Sequence, residues 1–359
     1  MDLAGYFDRF EERDWQRTAP DEPGGPLRVA MIGVGWWVRE FAVPAVAKTD
    51  RCETTVLVSS DREKAERVAA DCGAEAGITY EQFHDGAAAD AYDAVYVCTP
   101  NALHLEYVET AGDLGKAVLC EKPMAASADR AAEMVAAARD VPLMVAYRMH
   151  TDPAVRRMRE AVRDGLIGDP VLVDGHMSQR LLEVFDDPDQ WRLDPGLVGD
   201  GSSVTDIGIY PLNTARFVLD RDPVAVTAAM ASEGEAFDAV PDERAAFTVT
   251  YEGGVQASLS ASQNAHAGGH LRVVGTEGEM DLSPAFFMAE DRTLTVRRGG
   301  TTADVQAGTV DQMEEEFAYF ADRVLAGEPV EPDGEHGLLD VRAIEAVYES
   351  ARTGRRVEL

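Results

Sequence analysis

From residue 27 the chain alternates short apolar runs with longer stretches in which apolar positions recur every three or four residues. The runs at 27–33, 54–59, 94–99, 117–120 and 143–147 are continuous rather than alternating, a pattern that predicts strands buried on both faces. Helical spacing at 40–49, 62–72, 102–115 and 128–139 separates them. Strands alternating with helices of this length predict a parallel, doubly wound sheet. After His150 the rhythm changes. A helix at 153–164 leads to a strand near 171–177, a loop rich in Asp and Pro, and a helix near 204–219. Several strands follow between about 224 and 298, with turn signals such as Glu252-Gly253-Gly254 and Gly275-Thr276-Glu277-Gly278. Consecutive strands joined by short turns predict an open, mostly antiparallel sheet in an α+β second domain. Helices near 310–325 and 338–351 close the chain.

This rhythm sets the expected domains. Residues 1–26 form an arm and a linker, ending in the breaker-rich Pro20-Asp21-Glu22-Pro23-Gly24-Gly25-Pro26. Residues 27–150 form a Rossmann-type α/β domain, and 151–359 a second domain whose last helix is free to pack back on the first. A chain of 359 residues is long enough for two such cores.

Composition narrows the possible partners. The formal charge is −32, from 65 acidic against 33 basic residues, and the acids are spread along the chain. A field of that sign repels nucleic acid and anionic lipid, so neither is an expected partner. Only Lys48, Lys64, Lys116 and Lys122 are lysines; every other basic side chain is arginine. Such acid-rich, lysine-poor surfaces resemble those of halophilic proteins, where a Debye length of about 3 Å at 1 M salt removes self-repulsion. No apolar run approaches the ~18 residues that span a bilayer. The first residues carry neither a basic leader nor an apolar core, so a cytoplasmic location is expected. Cys52, Cys72, Cys98 and Cys120 form no C-x-x-C pair and sit near no histidine cluster, so they read as reduced, and no metal is expected.

Four stretches carry candidate chemistry. Gly33-Val34-Gly35-Trp36-Trp37-Val38 follows the first strand and opens a helix, as a dinucleotide-binding turn does. Val38 replaces the third glycine, and a plain strand–helix turn also uses glycine; the surrounding βαβ pattern favours the dinucleotide. The second strand ends in Ser59-Ser60, followed by Arg62 and Lys64. Small hydroxyls and cations suit the 2′-phosphate of NADP, whereas Asp61 is a counter-signal suited to the ribose of NAD. Thr99-Pro100-Asn101-Ala102-Leu103-His104 follows another strand and is placed to line a nicotinamide pocket, His104 being equally readable as a structural helix-start residue. Glu121-Lys122-Pro123 ends a strand at the carboxyl edge of the sheet, where ligands of such folds sit.

In the second domain Asp206 and Tyr210 are four residues apart on one helical face. A phenol acts as a base near neutral pH only beside a cation, and Lys122 is a candidate for that cation. Arg148 marks the domain junction, and Trp191-Arg192 lie in a loop suited to covering a sugar.

Together, the stretches 33–38, 99–104, 115–123, 147–153 and 199–210 resemble, in order, the glucose–fructose oxidoreductase/inositol dehydrogenase/rhizopine catabolism family. The resemblance implies a cofactor-binding Rossmann domain and a substrate-binding domain that also oligomerises by sheet-to-sheet packing, into a homodimer or homotetramer. It implies Lys122 as the active-site lysine of Glu-Lys-Pro. Many members carry Asp-x-x-x-His on the substrate-domain helix, whereas this chain has Asp206-Ile207-Gly208-Ile209-Tyr210. The tyrosine form resembles the NADP-using branch of glucose–fructose oxidoreductases and dihydrodiol dehydrogenases. The expected reaction is oxidation of a pyranose such as D-xylose at C1 to the aldonolactone, with Tyr210 and Lys122 as the acid–base pair and Asp206 beside them. The rival readings are a diol dehydrogenase on the same scaffold and a dinucleotide-binding regulator without turnover.

Overall fold

The structure, a computed structural model, describes residues 3–10, 13–16, 25–288, 290–306 and 308–359. Of the expected arm, positions 1–2, 11–12 and 17–24 lie outside the described residues. The chain divides into two compact units. One joins the described parts of Trp15–Arg148 to Asp311–Leu339, and the other joins those of Met1–Asp14, Met149–Val310 and Asp340–Leu359.

The first unit is built on six parallel strands: β1 (Leu27–Ile32), β2 (Cys52–Ser59), β3 (Ala76–Thr79), β4 (Ala94–Val97), β5 (Ala117–Glu121) and β6 (Leu143–Ala146), in the order β3-β2-β1-β4-β5-β6. The central strands have apolar side chains on both faces because both faces are covered, and Val29, Met31, Val95 and Val97 are fully buried. The helix Arg62–Cys72 has the expected bounds because both ends are marked in the sequence. Asp61 accepts the Lys64 N–H at 3.0 Å as N-cap, and Gly73 takes the left-handed conformation (φ 79°) after the last turn. β3 and the helix Tyr80–His84 were not anticipated, since Ala76-Gly77-Ile78-Thr79 is too short and too poor in large side chains to show a period. The helix after the glycine turn begins at 36 rather than 40 and passes through a π turn, Val38–Ala42. The helix Gln312–Ala326 returns to this unit, where Phe317 packs edge-on against Tyr96, ring centroids 5.0 Å apart. The Val145 N–H of β6 donates to Pro332 O at 3.0 Å.

The second unit carries nine strands: β7 (Pro170–Arg180), β8 (Pro223–Ala231), β9 (Arg244–Tyr251), β10 (Gln256–Ser262), β11 (Asn264–Gly275), β12 (Gly278–Ser283), β13 (Thr293–Arg298), β14 (Thr301–Gln306) and β15 (Val357–Glu358). Their order is β14-β13-β12-β11-β7-β10-β9-β8-β15, with β7–β10 parallel and the other pairings antiparallel. Alternation along the strands sends one set of side chains inward, as with Phe247, Val249 and Tyr251 on β9 and Ala257, Leu259 and Ala261 on β10. The other face is polar and more exposed, with Asp174 and His176 on β7 and Ser258 on β10, beside an exposed Leu172. The helix Ile209–Leu219 lies against the inner face at Gly175, where a Cβ would stand 2.9 Å from both Pro211 Cβ and Leu259 Cδ2. Glycine is needed there for close approach, not for its torsion angles.

The expected continuous helix at 204–219 is a π turn, Val204–Gly208, running into the α-helix Ile209–Leu219. Pro211 has no N–H to offer and its ring disfavours a regular α turn upstream, so a widened turn there relieves the conflict. Among the described residues, no helix is long and apolar enough to cross a membrane. Replacing Gly175 by Val is expected to destabilise the second unit by about 1–3 kcal/mol through overpacking. A lowered denaturant midpoint checks this; an unchanged midpoint contradicts the tight contact.

Candidate active site

The cofactor half of the candidate site lies in the first unit, along the carboxyl ends of β1, β2, β4 and β5. Gly33 takes φ +92°, and a Cβ on it would lie 2.2 Å from Cys98 O, so only glycine fits. Gly35 is different: a Cβ there would meet nothing within 4 Å. No protein packing demands glycine at 35, whereas close backbone approach by a pyrophosphate would. The helix that begins at 36 presents its N-terminal amides to the same turn.

At the end of β2 the buried Ser59 hydroxyl accepts the Asp61 N–H at 3.3 Å, and Ser60 is exposed. Asp61 caps the next helix, which gives the NAD counter-signal a structural task. Arg62 is paired with Glu66 at 2.8 Å on the surface. Burial, then the nearby Arg39 and Arg67 charges, hold the Lys64 ammonium below its ordinary pKa. Lys64 thus stands among cations with Arg39, a residue the sequence reading missed because it sits 20 to 25 positions from the second-strand signals. Such a group suits a phosphate dianion.

The loops after β4 and β5 are stapled together by His104, which is fully buried. Its Nε2 lies 2.9 Å from Thr99 O and its Nδ1 3.0 Å from Met124 O, and burial pushes its pKa down. Both ring nitrogens of His104 thus face loop carbonyls, which gives this residue a structural task. Asn101 is buried beside it, on the short turn Asn101–Leu103 that follows Pro100. The Thr99 hydroxyl is buried without a hydrogen-bond partner, a polar atom left for a ligand. Trp36 is 40% exposed next to the glycine turn, while the Trp37 indole N–H donates to the Tyr96 hydroxyl at 3.1 Å. Tyr96 in turn donates to Glu121 Oε1 at 2.5 Å, and the Lys122 N–H donates to Glu121 Oε2 at 3.1 Å. This chain of bonds fixes Glu121-Lys122 relative to the glycine turn.

Burial pushes the Glu121 carboxyl up, with the Lys122 charge opposing it. Glu316 lies in the same cluster and is raised well above the carboxylate range, by burial and then by Glu121, with Arg148 opposing. Arg148 is itself buried and donates to Gln312, one helical turn before Glu316. The structure thus gives Arg148 a place among buried acids of its own unit.

The substrate half lies in the second unit. Asp206 Oδ2 accepts from Arg192 Nε at 3.2 Å and from Gln263 Nε2 at 2.8 Å. Gln263 Oε1 accepts from Gln179 Nε2 at 2.9 Å. The Arg192 guanidinium sits between the Trp191 and Phe185 rings, 4.5 and 4.6 Å from their centroids. Tyr210 is half-buried one turn on from Asp206, with Phe286 6.2 Å away by ring centroids. The sequence reading brought Asp206, Tyr210, Trp191 and Arg192 forward but missed Gln263, Gln179 and Phe185, whose strand and loop positions carry no local signature.

The start of the segment that bears Asp206 and Tyr210 is set by Asp242, also unforeseen. Its carboxylate accepts the Ser202 N–H at 2.6 Å, the Val204 N–H at 2.8 Å and the Tyr348 hydroxyl at 2.6 Å. Burial outweighs these donors and pushes its pKa up to about 6. Among the described residues, no group of three or more His, Cys, Asp or Glu is arranged to hold a metal ion.

Two outcomes follow from these geometries. Gly33→Ala is expected to lower the unfolding midpoint sharply, whereas Gly35→Ala leaves it unchanged and weakens dinucleotide binding about tenfold or more, read by fluorescence titration. Equal effects at both positions would contradict the distinction. Asp242 has a folded pKa above its unfolded value, so its contribution grows as pH falls from about 6 towards 3.8 and is absent above it. The stability deficit of Asp242→Asn relative to the parent should therefore be larger at pH 4 than at pH 7 by about 2 kcal/mol. A pH-independent deficit in denaturant titrations would argue against a buried, proton-binding carboxyl.

Comparison with known proteins agrees with both halves. The model of an oxidoreductase family with an NAD-binding Rossmann fold matches residues 27–148, and that of the GFO/IDH/MocA C-terminal domain matches 155–281. The chain is 56% identical over 361 aligned residues to D-xylose 1-dehydrogenase [NADP(+)] of Haloarcula marismortui, covering 99% of this chain and 98% of that protein. It is 34% identical to D-xylose 1-dehydrogenase (NADP(+)) 2 of Haloferax volcanii, covering 93% and 99%. Among solved structures, the aldose-aldose oxidoreductase of Caulobacter crescentus in complex with glycerol superposes with a TM-score of 0.86 at 30% identity, covering 93% of this chain and all of that one. With one model matched in each half of the chain and a relative this similar along its whole length, the chain belongs to the GFO/IDH/MocA oxidoreductase family.

Proposed function

We propose that this protein is an NADP-dependent aldose 1-dehydrogenase that oxidises a pentose pyranose, D-xylose, at C1 to the aldonolactone. The observation that carries the reading is the 56% identity over 99% of the chain to a protein named for that activity. The presence of Lys122, Asp206 and Tyr210 in the positions described above supports it. The open Gly35, the unpartnered Thr99 hydroxyl and the cations at the end of β2 fit the proposed cofactor.

When bound, NADP supplies the acceptor for the hydride that leaves C1. The chain's own groups do the rest. Gly33, Gly35 and the amides of the helix starting at 36 hold the pyrophosphate. Ser60, Arg39 and Lys64 hold the 2′-phosphate, and Asp61, engaged as a helix cap, leaves the ribose 2′ position to them. Thr99, Asn101 and the Glu121-Lys122 pair border the nicotinamide end. Tyr210 takes the proton of the C1 hydroxyl as general base, and Lys122 is the second member of the acid–base pair. Asp206, fixed by Arg192 and Gln263, orients a sugar hydroxyl, and Trp191 offers an apolar ring to the C–H face of the pyranose. The open face of the nine-stranded sheet, with its exposed Leu172, is the surface through which two copies pair.

Tyr210→Phe tests the assignment. NADP affinity is expected to stay within about twofold while kcat falls by about 10²–10⁴, the usual contribution of a general acid–base group. Retention of more than a tenth of the turnover would remove Tyr210 as the base.

A further inference from the structure

We propose that Asp242, Tyr348 and Thr205 form a positioning relay that ties sugar affinity to the proton carried by Asp242. The relay acts through the turn that bears Asp206. Its effect on sugar binding rests on the dehydrogenase reading, whereas the relay itself does not.

All three side chains are buried, and the Tyr348 hydroxyl lies between the other two, 2.6 Å from Asp242 Oδ2 and 3.1 Å from Thr205 Oγ1. Tyr348 belongs to the helix Gly334–Thr353. Burial, and then the Asp242 charge, push its pKa well above the ordinary value, so it stays a neutral hydroxyl with one hydrogen to give. While Asp242 is ionised, that hydrogen goes to its carboxylate, and the Thr205 hydroxyl donates to the phenol oxygen. The Ser202 N–H donates to Oδ1 and the Val204 N–H to Oδ2 of the same carboxylate.

A proton on Asp242 reverses this order. At Oδ1 it would meet a fixed N–H donor, whereas at Oδ2 it meets a hydroxyl that can turn. It therefore settles on Oδ2 and donates to the phenol oxygen. Tyr348 then donates to Thr205, and the Thr205 hydrogen turns to a carbonyl three or four residues back, as threonine does in helical turns. The carbonyl three residues back is Ser202 O, which accepts the Asp206 N–H at 2.9 Å. Sharing that acceptor bends the turn and moves the Asp206 carboxylate against Arg192 and Gln263, 3.2 and 2.8 Å away.

Burial holds Asp242 at about 6 against its donors, and no cation is among the causes acting on it. Beside it in the chain, Glu243 accepts the Glu233 and Gly234 N–H groups at 2.7 Å, and Arg244 pairs with Glu233 at 2.8 Å. On the facing segment Asp206 pairs with Arg192, and burial raises Asp200 against the Arg352 charge. From the helix Gly334–Thr353 the group that faces Asp242 is Tyr348. Asp242 is ionised above about pH 6, so the sugar-binding arrangement belongs to neutral and alkaline pH and is lost as pH falls.

The test pairs two readouts on the full-length protein in multimolar KCl between pH 5 and pH 8. The affinity of the NADPH-bound protein for D-xylose, followed by cofactor fluorescence, is expected to fall about three- to tenfold as pH drops through about 6, the contribution of one neutral hydrogen bond. Hydrogen exchange at the Asp206 amide, corrected for its intrinsic pH dependence, is expected to accelerate over the same range. NADPH affinity should show no such step. Thr205→Val cuts the relay and leaves Asp242 in place, and Asp242→Asn is neutral at every pH; both steps should vanish in each. A merely structural Asp242 would weaken binding at every pH and leave the steps of Thr205→Val intact. Either step surviving in either variant, or a flat exchange profile in the parent, would overturn the proposal. Absence of D-xylose binding at every pH would sink the dehydrogenase reading, and the exchange profiles would then decide the relay alone.

Discussion

The second unit is organised around one fully buried carboxylate that has hydrogen-bond donors where an ion-pair partner would be expected. Asp242 is 0% exposed, and burial alone would favour its neutral form. Two backbone N–H groups and the Tyr348 hydroxyl offset that penalty, and together they decide where the segment at 202–219 begins. From that start the π turn carries Asp206 inward and the α-helix carries Tyr210 one turn on. Shift the start by a residue and Asp206 rotates away from Arg192 and Gln263. Site geometry in this unit is thus inherited from a polar contact that touches no reacting atom.

The first unit works by a different constraint, close backbone packing. Gly33 abuts Cys98 O, and the Trp37–Tyr96–Glu121 chain ties the glycine turn to the strand that ends in Lys122. His104 binds the loops after β4 and β5 to each other. Each of these loops is therefore anchored from behind, while Gly35 keeps open space where a side chain would stand. Pre-organisation of this kind reduces the ordering needed on binding.

The parts legible in the sequence were those written in local chemistry. Continuous apolar runs announced the parallel sheet, helical spacing gave the helix at 62–72, and the ordered Gly-x-Gly, Glu-Lys-Pro and Asp-x-x-x-Tyr stretches pointed to the family. What escaped was settled by distant partners. Asp242 acquires its role from Tyr348, over a hundred residues away, and Gln263 reaches Asp206 from the end of a strand. Arg148 marks a domain junction in the sequence, and only the returning helix shows that it donates to Gln312 near Glu316. The π turns at 38–42 and 204–208 were hidden because a widened turn leaves the apolar spacing almost helical.

The central claim is that the bond broken is the C1–H bond of a pentose and that NADP receives what leaves. It is tested most directly by incubating the protein with NADP and D-xylose deuterated at C1, in multimolar KCl that screens the −32 charge, and analysing the reduced cofactor by mass spectrometry. The account predicts one deuterium per reduced cofactor, with xylonolactone as the first product. Reduced cofactor without deuterium, from oxidation at another carbon, would contradict it.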